Sequence, residues 1–200
     1  MYKGWGNMQA RSSGDKTKIV LAASLRNLMK TKPFDKIKIR EIVDGCGLNR
    51  QTFYYHFQDI YELVEWMYQH DGELIIKDTY KTGGLYATAH QMLDYIENHK
   101  DELINIVSSK AEDYFFRYLR AGIAKCYDMA IDKLTDGRRV TKAYKGFLSA
   151  YFTCAAAGVL AEWIKETGAD RLTSDELIAM FMTMNGQLKM AIDNYEKTTG

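Results

Sequence analysis

Proline occurs once in the 200 residues, at Pro33. Loop-rich folds use proline freely and helix interiors reject it, so its near absence points to long uninterrupted helices. Cysteine is also scarce. Cys46, Cys126 and Cys154 are odd in number and far apart, with no Cys-x-x-Cys pair. That argues against a disulfide framework and a cysteine zinc site, and it fits a reducing cytoplasm. His56, His70, His90 and His99 show no His-x-x-x-His or His-Glu-x-x-His spacing, so a zinc hydrolase has no support. No apolar run approaches the ~18 residues that span a bilayer, and no membrane partner is expected. Residues 1–14 lack the apolar centre of a signal peptide and mix Gly, Ser, Arg and aromatics without periodicity. They are expected to form a flexible amino-terminal arm. No nucleophile–base pair, phosphate loop or metal cluster stands out, so neither an enzyme nor a cofactor is expected.

An excess of charge of one sign is missing too: the formal net charge is +1. That excludes a uniformly basic nucleic-acid binder, but the average hides an asymmetry. Residues 1–57 hold eleven Lys/Arg against four Asp/Glu, a net +7, and the remainder holds sixteen against twenty-two, a net −6. A basic front end on an acidic body suggests two units with different partners, although surface lysines also cluster by chance.

The apolar periodicity is helical throughout, with no credible strand and no internal repeat. Leu21, Leu25, Leu28 and Met29 share one face of a first helix predicted over about 15–32, which Pro33 stops. A second, short helix is predicted from Ile39 to Gly45, with Ile39, Ile42, Val43 and Cys46 at i, i+3, i+4 and i+7. Gly45 and Gly47 bracket its end, where glycine tolerates a left-handed backbone. Asn49 is a good N-cap for a third helix from Arg50 to His56. Asp59 and Glu62 form a capping box for a fourth, predicted to run to about Lys81 and to break at Gly83-Gly84. Further helices are predicted at about 85–98, 100–108, 110–134, 139–167 and 174–197.

Two short helices joined by a tight glycine turn follow the helix-turn-helix plan. Phe53 and Phe57 face inward, while Arg50, Gln51 and Tyr54 share the outward face. Arg pairs two-pronged with guanine and Gln with adenine, and Tyr and His suit phosphate oxygens.

The first 65 residues resemble the DNA-binding domain of the TetR family of bacterial transcription regulators. The resemblance is carried by Phe34-Asp35-Lys36-Ile37, Arg40-Glu41-Ile42, Gly47-Leu48-Asn49 and above all Thr52-Phe53-Tyr54-Tyr55-His56-Phe57. Arg50-Gln51-Thr52-Phe53-Tyr54 and Gly158-Val159-Leu160-Ala161-Glu162-Trp163-Ile164 are similar to the branch that includes the dihydroxyacetone-kinase operon activator. The resemblance implies base-edge or close groove contact for Arg40, Arg50, Gln51 and Tyr54. It implies phosphate contact for Lys38, Asn49, Thr52, Tyr55 and His56, flanking-backbone contact for Lys16 and Lys18, and a core of Ile42, Leu48, Phe53 and Phe57. Two positions depart from the family pattern. Lys38 stands where a capping threonine is common, and lysine cannot cap. Ile60 stands where a phosphate-binding lysine is common. Arg40 also has Asp44 as an intrahelical ion-pair partner at i+4.

The body is rich in aromatics. Between its helices the resemblance implies a pocket for a small-molecule effector. Trp66, Tyr86, His90, Tyr114, Tyr118 and Tyr151 are the residues expected to line it, with ordinary core packing as the bland alternative for each. The small-residue run Ala155-Ala156-Ala157-Gly158 suggests a close helix–helix approach. Read as a dimer interface, it uses Ala155 and Gly158 with Phe181, Met184 and Leu188 of the last helix; read blandly, it is packing inside one subunit.

The expectation is therefore an all-α protein in three parts. Residues 1–14 form the arm, 15–60 the three-helix helix-turn-helix DNA-binding domain, and 61–200 the helical ligand-binding and dimerisation domain. Its function is that of a cytoplasmic, homodimeric, ligand-responsive repressor on a palindromic double-stranded DNA operator. The rival is a helical ligand-binding or protein-interaction module without DNA binding, favoured only by Lys38 and Ile60.

Overall fold

The computed structural model describes residues 13–199, so the arm expected over 1–14 falls almost wholly outside the described residues. Eight α-helices and no strand occur among them: α1 Ser13–Met29, α2 Ile39–Asp44, α3 Arg50–His56, α4 Ile60–Asn98, α5 Lys100–Val107, α6 Glu112–Leu134, α7 Lys142–Lys165 and α8 Ser174–Thr199.

Helices α1 to α3 form the head. Leu21, Leu25 and Met29 of α1 are buried against Ile42, Val43, Phe53 and Phe57. The Ser24 hydroxyl donates to the Ile42 carbonyl at 2.7 Å, tying α1 to α2. Helix α1 ends three residues earlier than its periodicity suggests. Pro33 disfavours a helical Lys32, and a distant side chain completes the end. Asn105 of α5 donates to the carbonyls of Met29 and Lys32 at 2.9 and 2.8 Å and accepts the Phe34 N–H at 2.8 Å.

The body begins with α4, which is two arms rather than one rod. Gly84 lies inside it at φ 64°, ψ −153°, a backbone that L side chains rarely adopt. Tyr95 donates a hydrogen bond to Asp71, 24 residues back. In a straight helix those residues would lie about 36 Å apart. The chain therefore doubles back at Gly84, and the glycine break predicted at 83–84 separates two antiparallel arms. Helices α6 and α7 pack together beside them. Phe115, Leu119, Ile123, Tyr127 and Ile131 repeat at four-residue intervals on α6, as do Leu148, Phe152, Ala156, Leu160 and Ile164 on α7, and all are buried. Helix α8 closes the body with Leu177, Ile178, Leu188 and Ile192.

Arg26 of α1 joins head to body. It is only 6% exposed. One guanidinium nitrogen donates to both oxygens of Glu102 on α5, at 2.7 and 2.8 Å. The other meets Asp71 on the first arm of α4 and the Tyr95 hydroxyl on the second arm. Tyr68 donates to Glu102 at 2.9 Å. Burial works against the charge on Arg26, but Tyr95, Asp71 and Glu102 outweigh it and hold the guanidinium protonated. Burial pushes the Tyr68 and Tyr95 hydroxyls well above their usual range, so both remain donors.

Arg26→Met would strand two buried carboxylates without their cation. The expected loss is about 3–5 kcal/mol, which lowers the thermal unfolding midpoint by roughly 10 °C. Circular-dichroism melting of variant and parent checks it.

Candidate nucleic-acid interface and internal cavity

The interface is built on α3, seven residues long and fixed at both ends. Asn49 caps it, its Oδ1 accepting the Thr52 N–H at 2.8 Å and the Thr52 hydroxyl at 3.1 Å. Phe53 is fully buried and Phe57 nearly so. Gly47 stands at φ 69°, the left-handed turn that brings α3 across α2. With the inner face held, Arg50 and Gln51 are exposed, Tyr54 is 57% exposed and Tyr55 84%. Tyr54 lies one turn beyond Arg50, so the two share a face. Large aromatics so exposed on a rigid helix mark a contact surface.

The flanking groups are arranged around it. Lys38, Arg40 and Lys16 are exposed, and His56 is half-buried with its ring 4.9 Å from that of Tyr55. Arg40 pairs with Asp44 at 3.4 Å, as their spacing suggests. Lys18 is less available to a partner, because its ammonium sits 5.4 Å from the centre of the Phe57 ring and 5.7 Å from that of Trp66. Asn49 and Thr52 already bond each other, so what they offer a phosphate is the Asn49 side-chain N–H groups, the Thr52 hydroxyl being free to donate only by leaving Asn49. Lys38 does not cap α2. Glu41 supplies the cap instead, its carboxylate accepting the Lys38 N–H at 3.0 Å and the Lys32 ammonium at 2.6 Å. At Ile60, the capping box forms with a shift of one residue: Asp59 accepts the Glu62 N–H, and Glu62 accepts the N–H of Gln58.

Residues 20–67 match the family described as bacterial regulatory proteins, tetR family, and residues 85–185 match a transcriptional regulator C-terminal region of the same kind. The chain belongs to the TetR family. Its two matched regions are those of a transcription regulator rather than of an enzyme. It is similar to the HTH-type dhaKLM operon transcriptional activator DhaS of Lactococcus lactis, 25% identical over 101 residues, which are 50% of this chain and 54% of that one. The match therefore spans about half the length of that relative. It is 36% identical over 52 residues to the HTH-type transcriptional regulator EthR of Mycolicibacterium smegmatis, 26% of this chain and 24% of that one. Among solved structures, the dihydroxyacetone kinase operon activator DhaS superposes with a TM-score of 0.68 at 20% identity, covering 90% of this chain and 98% of the other. A TetR transcriptional regulator from Streptococcus agalactiae 2603V superposes with a TM-score of 0.60 at 16% identity, covering 86% and 94%. Both share the fold.

The body of this TetR-family protein holds a small cavity, partly open to solvent. Leu85, Met92 and Leu93 of the second arm of α4, Ile123 of α6, Leu160 of α7 and Phe181 of α8 give it an apolar wall. Its polar groups are Thr88, Tyr127 and Asn185. None of the six residues expected in a pocket lines it. Trp66 stacks on His70 at 4.9 Å and touches Phe57 beneath the head. Tyr114 stacks on Tyr61 at 5.2 Å, with the Arg117 guanidinium 4.8 Å from its ring centre. Tyr118 donates to the Gln69 carbonyl and lies so close over Gly72 that a Cβ there would meet its hydroxyl at 1.8 Å. Tyr86, edge-on to His90, and Tyr151 are at least half exposed. These six went to joints and surfaces, where the polar tip is solvated or bonded. The cavity took mainly aliphatic residues, with Tyr127 and Phe181 as its aromatics. Asn185 had a sequence signal: it is the one polar residue on the buried stripe Leu177, Ile178, Phe181, Leu188 and Ile192.

Two of the expected interface residues lie toward the inside of their own subunit. Leu188 is 2% exposed, and Phe181 is partly buried and lines the cavity. Ala155, Gly158 and Met184 are exposed.

The Lys32 ammonium first, and then the Lys38 N–H, hold the Glu41 carboxyl below its ordinary value near 4.5. A depressed carboxyl stabilises the fold above that value and loses its effect as pH falls through the folded one. Glu41→Gln should therefore melt below the parent at pH 7, and the gap should narrow as pH falls below 4.5. Thermal unfolding across that pH range checks it.

Proposed function

We propose that this regulator acts as a homodimer on a two-fold operator, with α3 of each subunit in a major groove and an effector in the body cavity. The observation that carries the DNA reading is the outward face of α3: Arg50, Gln51, Tyr54 and Tyr55 exposed on a helix anchored by Phe53 and Phe57. The head comprises residues 15–60 and the body 61–200. Arg50, Gln51, Tyr54 and Arg40 read or approach base edges. Lys38, Asn49, Thr52, Tyr55, His56, Lys16 and Lys18 hold phosphates, Lys18 by leaving its aromatic rest. Two-fold symmetry sets the half-sites about 34–36 Å apart, or at a multiple of that.

The dimer reading rests on α7 and α8. By length and composition α7 is apolar enough to cross a membrane, with a mean hydropathy of 1.4 over its most apolar stretch, yet only 39% of that stretch is buried. A count of unbroken apolar runs misses this, because polar residues interrupt the stretch without lowering its average much. Its inner face packs on α6, and its ends carry the ion pairs Lys145–Asp132 and Lys165–Glu112. The outer face shows Phe147 and Tyr151, each 60% exposed, then Ala155, Gly158 and Val159; α8 adds Met180 and Met184. A second copy fits this surface: its own small residues admit a close helix approach, and a self-complementary patch closes a two-fold pair.

An effector bound in the cavity favours one separation of the heads over another, by its difference in affinity for the two states. Repression follows where the bound dimer covers promoter DNA. The activator named for the Lactococcus relative is the second reading, and a promoter reporter with the gene present and deleted separates the two. The site of action is the cytoplasm, where Cys46, Cys126 and Cys154 stay free.

Fluorescence anisotropy with DNA from the region upstream of the gene tests DNA recognition. Arg50→Ala should reduce preference for operator over random DNA by about 10–100-fold. Lys38→Ala should weaken both and reduce the salt slope by about 1. Parent protein with no preference at low salt would sink the reading. Sedimentation tests assembly: Tyr151→Glu should convert dimer to monomer and weaken operator binding, and an unchanged dimer would move the interface elsewhere.

A further inference from the structure

We propose that the body cavity takes a neutral, mainly apolar small molecule with one hydrogen-bond acceptor, and that the Asn185 amide N–H receives that acceptor. The inference rests on the effector reading of the cavity and adds the ligand class.

The first argument is charge. No residue lining the cavity is a carboxylate, an ammonium or a guanidinium. Its two titratable groups stay neutral at pH 7, because burial pushes the Cys126 thiol up to about 11 and the Tyr127 hydroxyl up to about 12. A phosphate, carboxylate or ammonium ligand would surrender its hydration and meet no counter-charge, which opposes entry strongly.

The second argument is the orientation of one amide. The Tyr127 hydroxyl donates to Asn185 Oδ1 at 2.7 Å, which turns the amide nitrogen away from that bond. Asn185 Nδ2, with two hydrogens, makes no hydrogen bond among the described residues. The Thr88 hydroxyl is committed to the Gly84 carbonyl at 2.9 Å. The cavity therefore presents an oriented donor within an apolar wall. A ketone, ester, ether or alcohol oxygen fits it.

Isothermal titration calorimetry on the full chain at pH 7 tests this with three probes of matched size: 4-phenyl-2-butanone, 3-phenylpropanoate and butylbenzene. The ketone should bind at least tenfold more tightly than the carboxylate and more tightly than the hydrocarbon. In Asn185→Leu the ketone should lose its advantage over butylbenzene. Equal binding of ketone and carboxylate by the parent protein overturns the proposal whether or not the variant folds, and so does a ketone advantage that survives Asn185→Leu. Operator binding is followed on the same preparation. Protein that binds operator but none of the probes overturns the ligand class alone. Ketone binding that leaves operator affinity unchanged overturns the effector reading and leaves the ligand class standing.

Discussion

A single guanidinium sets the position of the reading head. Arg26 leaves α1 and is bonded at once by α5, through Glu102, and by both arms of α4, through Asp71 and Tyr95. Buried ion pairs add little net stability, because desolvation offsets most of the attraction. Their effect is on geometry. Five polar groups are satisfied together only when α1, α5 and both arms of α4 hold one arrangement. Asn105 acts in the same direction by finishing α1 from α5. The head is thus a separate sequence motif but not a loosely tethered one.

The motif was legible because its determinants are local. The glycine at 47, the cap at Asn49, the inward Phe53 and the outward Arg50 and Gln51 all act within a few residues, and periodicity with turn chemistry recovers them. The double-back at Gly84 was legible for the same reason. Arg26 was not. On α1 it sits in the last turn, where a basic residue ordinarily faces solvent beside the helix C-terminus, and its partners are 45 and 76 residues away. The early end of α1 was hidden likewise, since Asn105 reaches it from 76 residues downstream.

The cavity exposes a different limit. Residue type alone drew attention to Trp66, Tyr114 and Tyr118, since an apolar ring with a polar tip suits a ligand. It suits a packed joint equally well. What separates the two is whether the tip finds a partner inside the protein: Tyr118 does, at the Gln69 carbonyl. Asn185 bonds through its oxygen and keeps its N–H groups open. The apolar character of α7 was similarly ambiguous, because a core helix, a membrane helix and a helix shared between two subunits have the same composition. Burial of one face alone sets it apart from a helix enclosed in a core.

The cavity and the head meet in one element. The second arm of α4 walls the cavity with Leu85, Met92 and Leu93, and two residues beyond Leu93 it places Tyr95 against Arg26. The arm begins at a glycine whose backbone is outside the helical region, so it is joined to the first arm by a hinge rather than by a continuous ladder. A molecule that displaced the arm would act on the Tyr95–Asp71–Arg26 bonds, through which the body meets α1 of the head. Two arrangements of those bonds, one per ligand state, are the minimum that effector control requires of this fold. The acidic body adds a constraint on where such a change can be read. A net −6 outside residues 1–57 would be repelled by a duplex, so bound DNA would feel the body only through the placement of the basic head.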